Sequence, residues 1–380
     1  MRKLLLVANV SKEHIRKFHI PFIRMMREKG WQVDVACRLD EPVPECDHAF
    51  DLPCDRNPFR GGLLASVRVL RRVLRENHYD VVHCHTVVGG IIARTAAAPF
   101  RKDGLKVFYT NHGIHFFPGA PLSRWIMGYP LERLLAPKTD LLITINKVDD
   151  ATARRYLSGC GGFARIHGIG VNLEKFRNAP LETDRTAYRR TLGLSPEDFV
   201  VTYVAELIPN KNQQMLLRSF AQVCQVIPRA RLMLAGPDHW GGKLQDMASQ
   251  MGIADRVLFL GWRSDVPRLL SCADAYAATS RSEGLGLNII EAMACGLPVV
   301  ACRNRGHCEI ITDGVNGFLV DYDDADAMAR RIIQFSREPA TAEALVHSAR
   351  AQIRKYETGS VLRDLERIYA VHLPETEDRR

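Results

Sequence analysis

Two carboxylates, Glu283 and Glu291, stand with seven residues between them in the run SRSEGLGLNIIEAMACGLPVV (280–300). Gly284 and Gly286 precede a helix-like stretch, LNIIEAMA, and a Gly-Leu-Pro stop leads into a short apolar strand. Glycines just before a helix let a ligand approach backbone N–H groups, and the positive end of the helix dipole suits a phosphate there. Glu291 falls about one turn inside the helix, at roughly 3.6 residues per turn. From there a carboxylate can accept hydrogen bonds from two sugar hydroxyls. Glu283 lies in the loop, nearer whatever follows the phosphates. An anionic end, a polyol end and a second carboxylate together describe a nucleotide-sugar site.

The elements that must position this stretch alternate between strand and helix. LLLVANV (4–10), a helix over 14–30 with a proline inside it, and WQVDVAC (31–37) make a beta-alpha-beta start, which implies a parallel, doubly wound sheet. VVHCH (81–85), LKVFYTNHGIHFF (105–117) and DLLITIN (140–146) continue it. A second series follows: FVVTYVAEL (199–207), ARLMLAG (230–236), RVLFLGW (256–262), AYAATS (275–280) and NGFLV (316–320), with helices over 265–274, 325–336, 340–355 and 357–372. The polar stretch 177–197 reads as the linker between two domains, and the tail 374–380 as frayed. The α/β chain thus divides into 1–176 and 177–356, with helix 357–372 after them. No repeat of short period is present.

In open parallel sheets ligands sit beyond the carboxyl ends of strands. His14 and His19 follow the first strand, His83 and His85 end VVHCH, and His112 and His115 follow LKVFYTN. Histidines at three successive strand ends can converge on one site. The Gly-rich dinucleotide fingerprint is missing after the first strand, where Asn9-Val10-Ser11-Lys12 stands, which argues against a nicotinamide or flavin cofactor.

Composition narrows the class. The chain has 380 residues, 46% hydrophobic and 25% charged, enough for two ordinary soluble domains. No apolar run approaches the roughly 18 residues that span a bilayer, and MRKLLLVANV reads as a buried strand rather than a signal peptide. Ten scattered cysteines form no C-x-x-C and no zinc-like Cys/His spacing, so reduced, mostly buried thiols are expected. Residues 1–177 carry 28 Lys+Arg against 17 Asp+Glu, a net +11, whereas the remainder carries −2. Such a basic half can meet an anionic membrane or a phosphorylated substrate, and without a nucleic-acid-binding signature nucleic acid is the weakest partner. Arg68, Arg71, Arg72 and Arg75 lie on one helix (61–80) whose apolar face reads Leu63, Leu64, Val67, Leu70 and Leu74. Trp125, Ile126, Met127 and Tyr129 form an apolar cluster within 116–140 that is expected to pack largely into the core.

The run 280–300, with KEHIRKFHIPF, YDVVHCHTVVGG, YTNHGIHFFPGAP, GIGVNLEKF, ELIPNKNQ and DGVNGFLV, resembles the family-4 retaining glycosyltransferases over essentially the whole chain. The likeness is to the branch that builds bacterial capsule, exopolysaccharide and lipid-linked oligosaccharide. The resemblance implies a GT-B fold: two Rossmann-like domains facing across a cleft, the last helix (357–372) crossing back onto the first. It implies a retaining, metal-independent hexosyl- or N-acetylhexosaminyltransferase with no cofactor, a UDP-linked nucleotide sugar being the expected co-substrate. Glu291 would bind the ribose hydroxyls, Glu283 the donor sugar, and the backbone of Gly284, Leu285 and Gly286 the diphosphate or sugar. Lys211 would neutralise the leaving diphosphate, and His112 would stand near sugar and acceptor. His14, His19, His85 and His115 belong to the acceptor domain and are expected to bind the acceptor.

Ala205 and Glu206 stand where many members carry a diphosphate-clamping arginine, and Arg263 or the helix after Gly286 is expected to supply the second positive charge. The implied acceptor is a polyprenyl-diphosphate-linked sugar, met by a cytoplasmic protein held peripherally on the inner face of the membrane. A soluble acceptor and a non-catalytic sugar-nucleotide-binding subunit are the alternatives.

Overall fold

The computed structural model of the protein describes residues 1–55 and 61–373, so the tail 374–380 lies outside the described residues. The chain forms two compact units. The first is built from Met1–Gly170 and the C-terminal helix Thr358–His372, the second from Val171–Glu357.

In the first unit the strands are β1 (Lys3–Val10), β2 (Gln32–Arg38), β3 (Ala49–Asp51), β4 (Val81–His85), β5 (Lys106–Asn111), β6 (Leu141–Thr144) and β7 (Phe163–Arg165). All pair in parallel, in the order β3-β2-β1-β4-β5-β6-β7. β1 and β4 are almost wholly buried, as their continuous apolar runs require of strands covered on both faces. The order reverses between β1 and β4, and there the chain leaves toward opposite faces. The helix Val87–Ala97 after β4 packs closely: a Cβ on Gly89 would meet the Ala8 backbone at 2.9 Å, and one on Gly90 the Tyr109 ring at 2.8 Å. Both positions therefore demand glycine.

The second unit repeats the plan with β8 (Phe199–Val204), β9 (Ala230–Ala235), β10 (Val257–Phe259), β11 (Ala275–Ala278), β12 (Val299–Cys302) and β13 (Phe318–Val320). These too are all parallel, in the order β10-β9-β8-β11-β12-β13, reversing between β8 and β11. Two parallel doubly wound sheets are the architecture expected of the sequence.

Several details differ from expectation. The helix expected over 14–30 is broken: a π-turn covers Ser11–Ile15, one helical turn Arg16–Phe18, and Pro21 sits at the start of the helix Ile20–Glu28, where its missing N–H costs nothing. Residues 177–197 are not a linker. They hold most of the helix Leu173–Glu182 and all of Arg185–Thr191, which start with the side-chain caps Asn172 and Asp184 and belong to the second unit. Arg189, within this polar stretch, is buried and donates to the Cys272 and Asp198 carbonyls and to Asp274. On the helix Leu63–Asn77, Val73 is buried and Leu64 exposed, while all four arginines face solvent.

The segment 116–140 also departs from a simple core assignment. Trp125 and Tyr129 of the helix Leu122–Leu135 pack on Phe116, but Leu122, Ile126, Met127 and Leu134 are each about two-thirds exposed or more (66–73%). Both this helix and Leu63–Asn77 pack against Val87–Ala97. Among the described residues no helix is long and apolar enough to cross a membrane.

The C-terminal helix Thr358–His372 belongs to the first unit through Tyr369, whose ring stacks edge-on to Phe108 and Phe22 and whose hydroxyl meets His83 Nδ1 at 2.8 Å. A charged anchor of this unit lies deeper. Arg94, 1% exposed, makes a bidentate pair with Glu132 at 2.7 and 3.1 Å and lies 4.0 Å from the Tyr109 ring centroid. Breaking one partner of such a pair leaves an uncompensated buried charge. Glu132→Gln is therefore expected to destabilise the first unit by about 3–5 kcal/mol. Arg94→Met combined with Glu132→Gln should recover most of that loss, both read by urea denaturation.

Candidate functional site

In the second unit the turn after β8 is stitched to the loop after β11. The Thr279 hydroxyl donates to the Lys211 carbonyl at 2.8 Å, the Arg281 N–H to the Asn210 carbonyl at 2.8 Å, and the Asn210 amide to the Ser282 carbonyl at 3.0 Å. Asn212, in the left-handed region with φ 54°, turns the chain into the helix Gln213–Val226. At this seam Lys211 Nζ meets Glu283 Oε1 at 2.5 Å, both side chains about one-fifth exposed. The structure thus joins two residues singled out 72 positions apart.

A third loop closes on the same point. Arg305 donates from Nε to the Glu283 carbonyl at 3.1 Å, and Gly306 packs so tightly that a Cβ there would lie 2.8 Å from that carbonyl oxygen. His307, 1% exposed, donates from Nδ1 to the Cys302 carbonyl at 2.6 Å. Its Nε2 is buried with no hydrogen-bond partner among the described residues. A Cβ on Gly286 would lie 3.2 Å from His307 Cδ2 and 3.6 Å from Nε2, so the imidazole borders the start of the helix Leu287–Cys295. Burial pushes this imidazole down to about 4, leaving Nε2 as an acceptor at neutral pH.

The helix Leu287–Cys295 begins at Gly286 without a side-chain cap. In its first turn the Leu287 N–H donates to the Leu285 carbonyl at 3.2 Å and the Ile289 N–H to the Gly286 carbonyl at 3.0 Å, so what the turn offers an anion is chiefly the positive end of the helix dipole. Glu291 lies on it, half-buried, and burial raises its carboxyl to about 7, with Lys175 pulling the other way. Arg263 is less available than expected. Its guanidinium is bidentate on Asp265 at 2.7 and 2.8 Å and reaches the Tyr188 hydroxyl at 3.0 Å, so its charge is already matched.

In the first unit the histidines do converge. His14 and His19 follow β1, where Ser11 ties the turn down by donating to Asp40 at 2.5 Å and accepting from the Glu41 N–H at 2.9 Å. His85 ends β4, and His112 follows β5, where the Asn111 carboxamide oxygen accepts from the Gly113 N–H at 2.8 Å. One ring nitrogen from each of His14, His19, His85 and His112 lies within 4.8 Å of the other three. Burial holds His19 and His85 well below the usual histidine range and His112 down to about 4. His115 is exposed and stands outside the group. His83 is a core residue, with Nδ1 on the Tyr369 hydroxyl and Nε2 on the Thr110 hydroxyl at 2.7 Å.

Together these groups offer a cation beside a carboxylate, an uncapped helix start and a second carboxyl on the same helix. That set can hold an anion with a polyol on either side of it. Arg305, His307 and Lys175 escaped the sequence reading. The available signal was the R-G-H run directly after the apolar strand ending at Cys302, a position beyond a strand's carboxyl end.

Comparison with known proteins agrees with this geometry. Residues 3–146 match the family described as glycosyl transferase 4-like, and residues 184–352 the family described as glycosyl transferases group 1. The chain is 40% identical over 373 residues to the EpsD protein of Bacillus subtilis (strain 168), covering 98% of this chain and 97% of that one. It is 29% identical over 339 residues to a UDP-Gal:alpha-D-GlcNAc-diphosphoundecaprenol alpha-1,3-galactosyltransferase of Escherichia coli, covering 87% of this chain and 85% of the relative. Among solved structures, Anabaena Alr3699/HepE in complex with UDP and glucose superposes with a TM-score of 0.79 at 22% identity, over 97% of this chain and 99% of that one. With two parallel doubly wound units and a matching family over each, the chain belongs to the GT-B glycosyltransferases of the family-4-like type.

Proposed function

We propose that the protein transfers a sugar, with retention at the anomeric carbon, from a UDP-sugar to a polyprenyl-diphosphate-linked acceptor. The observation that carries the donor half is the Lys211–Glu283 pair at the switch point of the second sheet, with Glu291 on the helix that follows. In this reading the donor diphosphate takes over Lys211 as its counter-charge and also uses the start of the helix Leu287–Cys295. Glu283 is then freed to accept sugar hydroxyls. His307 Nε2, an acceptor beside Gly286, suits a further hydroxyl rather than a phosphate. Arg305 is the better-placed second cation for the position where the usual arginine gives way to Ala205 and Glu206.

No protein nucleophile is required. The bond from the anomeric carbon to the diphosphate oxygen breaks as the bond to the acceptor oxygen forms on the same face, and the acceptor proton passes to the departing phosphate oxygen. The protein's share is positioning and neutralising the charge that grows on the leaving group. His112 and its neighbours serve the acceptor side. Because Lys211 and the helix start meet the phosphates, added magnesium or manganese should not raise transfer.

The acceptor and location rest on two supports. The Escherichia coli relative is named for a diphosphoundecaprenol substrate. The first unit shows exposed arginines on the helix Leu63–Asn77 and exposed Leu122, Ile126 and Met127 on the helix Leu122–Leu135. Each basic residue near an anionic membrane contributes on the order of 1 kcal/mol, and the aliphatic side chains add apolar burial. This is the pattern of a protein resting peripherally on the cytoplasmic face. A screen of nucleotide sugars by thermal shift, followed by donor hydrolysis and transfer to a lipid-linked acceptor, tests the whole reading. Hydrolysis of no nucleotide sugar would leave only a binding subunit.

Three outcomes are expected. Lys211→Ala should lower kcat by about a hundredfold or more with a smaller change in donor affinity, because the charge it meets is largest in the transition state. A raised KM with unchanged kcat would confine Lys211 to ground-state binding.

Ribose hydroxyls donating to Glu291 favour its carboxylate, so binding lowers a carboxyl that sits at about 7 in the free protein. Affinity for UDP-glucose should therefore fall as pH drops below about 7 and level off above it. Calorimetry on Glu291→Gln should show a flat profile and binding weaker by about tenfold or more. A wild-type profile in that variant would remove Glu291 from the site.

Arg68→Glu with Arg71→Glu and Arg72→Glu should release the protein from anionic vesicles at low salt, and Ile126→Ser with Met127→Ser should weaken what remains. Transfer to a lipid-linked acceptor should fall while donor hydrolysis holds. Unaltered flotation of both variants would favour the soluble-acceptor reading.

A further inference from the structure

The four converging histidines of the first unit carry a second conclusion. His14 Nε2 and His19 Nε2 lie 3.1 Å apart, and His85 Nδ1 and His112 Nε2 lie 3.3 Å apart. Four nitrogens around a tetrahedral zinc ion at about 2.0–2.1 Å stand about 3.4 Å from one another. Both close contacts match that edge. Four imidazoles pointing radially at such an ion also bring their ring centres to about 5 Å from one another. The six centroid separations here run from 4.0 to 6.1 Å, scattered about that value.

The alternative is a pair of ring-to-ring hydrogen bonds. It accounts for these two contacts but gives no reason for two such pairs to close on each other within 4.8 Å. The fifth ring nearby, His83, is fully engaged by Tyr369 and Thr110 and so is not a ligand.

We propose that His14, His19, His85 and His112 form a transition-metal site, with zinc the ion that best fits four imidazoles in a tetrahedral set. Neutral rings are required, and an ion binding there would displace any proton on the coordinating nitrogen. Four protein ligands close the coordination sphere, so the ion organises rather than reacts. It would tie the turns after β1, β4 and β5 to one point. With Nε2 on the metal, His112 keeps its proton on Nδ1 and acts toward any substrate only as a donor through that atom. The site stands apart from the phosphate-neutralising role of Lys211 and does not depend on the sugar-transfer reading.

The test uses the full chain, stripped by dialysis against a chelator and titrated with zinc and with cobalt(II). One equivalent per chain is expected, with the visible bands of tetrahedral cobalt. X-ray absorption on the wild-type zinc protein should show nitrogen scatterers with the imidazole pattern. Sulfur scatterers would put the ion on the cysteines and overturn the proposal, as would sub-stoichiometric binding at micromolar zinc. His14→Asn and His112→Asn should each weaken binding by about tenfold or more. His115→Asn, on an exposed residue outside the group, should bind as wild type. Equal weakening by all three would also overturn it. Failure to bind zinc with sugar transfer intact overturns this inference alone. Stoichiometric zinc on a chain that transfers no sugar overturns the function and leaves the metal site standing.

Discussion

The parallel pairing of every strand in both sheets is the constraint on which the rest depends. A parallel strand cannot turn back on itself, so each is followed by a crossover, and all the loops at one edge of the sheet follow carboxyl ends. Where strand order reverses, neighbouring crossovers go to opposite faces and leave a gap. In the second sheet the turns after β8, β11 and β12 bring Lys211, Glu283, Arg305 and His307 together. In the first, the turns after β1, β4 and β5 bring four histidines together. One topological rule, applied twice, gives two clusters of different chemistry.

Glu283 shows how closely the second-unit site is constrained. Its carboxylate faces Lys211 while its carbonyl receives Arg305 and abuts Gly306. Only glycine lets β12's loop come this near, and that approach is what lets His307 lie against Gly286. The two glutamates differ accordingly. Glu283 has a cation in contact, whereas Glu291, enclosed with Lys175 acting only at longer range, carries a carboxyl raised to about 7. One faces a cation in contact, and the other is held in an environment that favours its neutral form.

Much of this was legible in the sequence because strongly patterned elements leave strong signals. The buried strands β1, β4, β8 and β9 are near-continuous apolar runs, and the Glu283–Glu291 spacing encloses a glycine pair and leads into a strand. What escaped had weak local signals. β3 and β7 are three-residue edge strands, Ala49–Asp51 and Phe163–Arg165, with no alternating pattern to read. The helices over 173–191 hid behind charged residues, of which Arg189 is buried by tertiary bonds that no local rule foresees. Arg263 offered a free cation by composition but had Asp265 two residues on to claim it. The four-histidine group has no ligand-spacing motif because its members come from three strand ends.

The arrangement also ties the surface of the first unit to its interior. The helix Leu122–Leu135, which exposes Leu122, Ile126 and Met127, is pinned to Val87–Ala97 by the buried Arg94–Glu132 pair. Val87–Ala97 is itself pressed onto β1 and Tyr109 by Gly89 and Gly90, and it begins directly after His85. Tyr109, two residues before Asn111, lies under the Arg94 guanidinium and accepts from the Asn111 amide at 3.2 Å, while Asn111 sets the turn that holds His112. A buried ion pair between two well-packed helices is rigid but not cheap, since desolvating both charges cancels most of their attraction. Its effect here is registration. Whatever settles on Leu122, Ile126 and Met127 is held at a fixed position relative to His85 and His112.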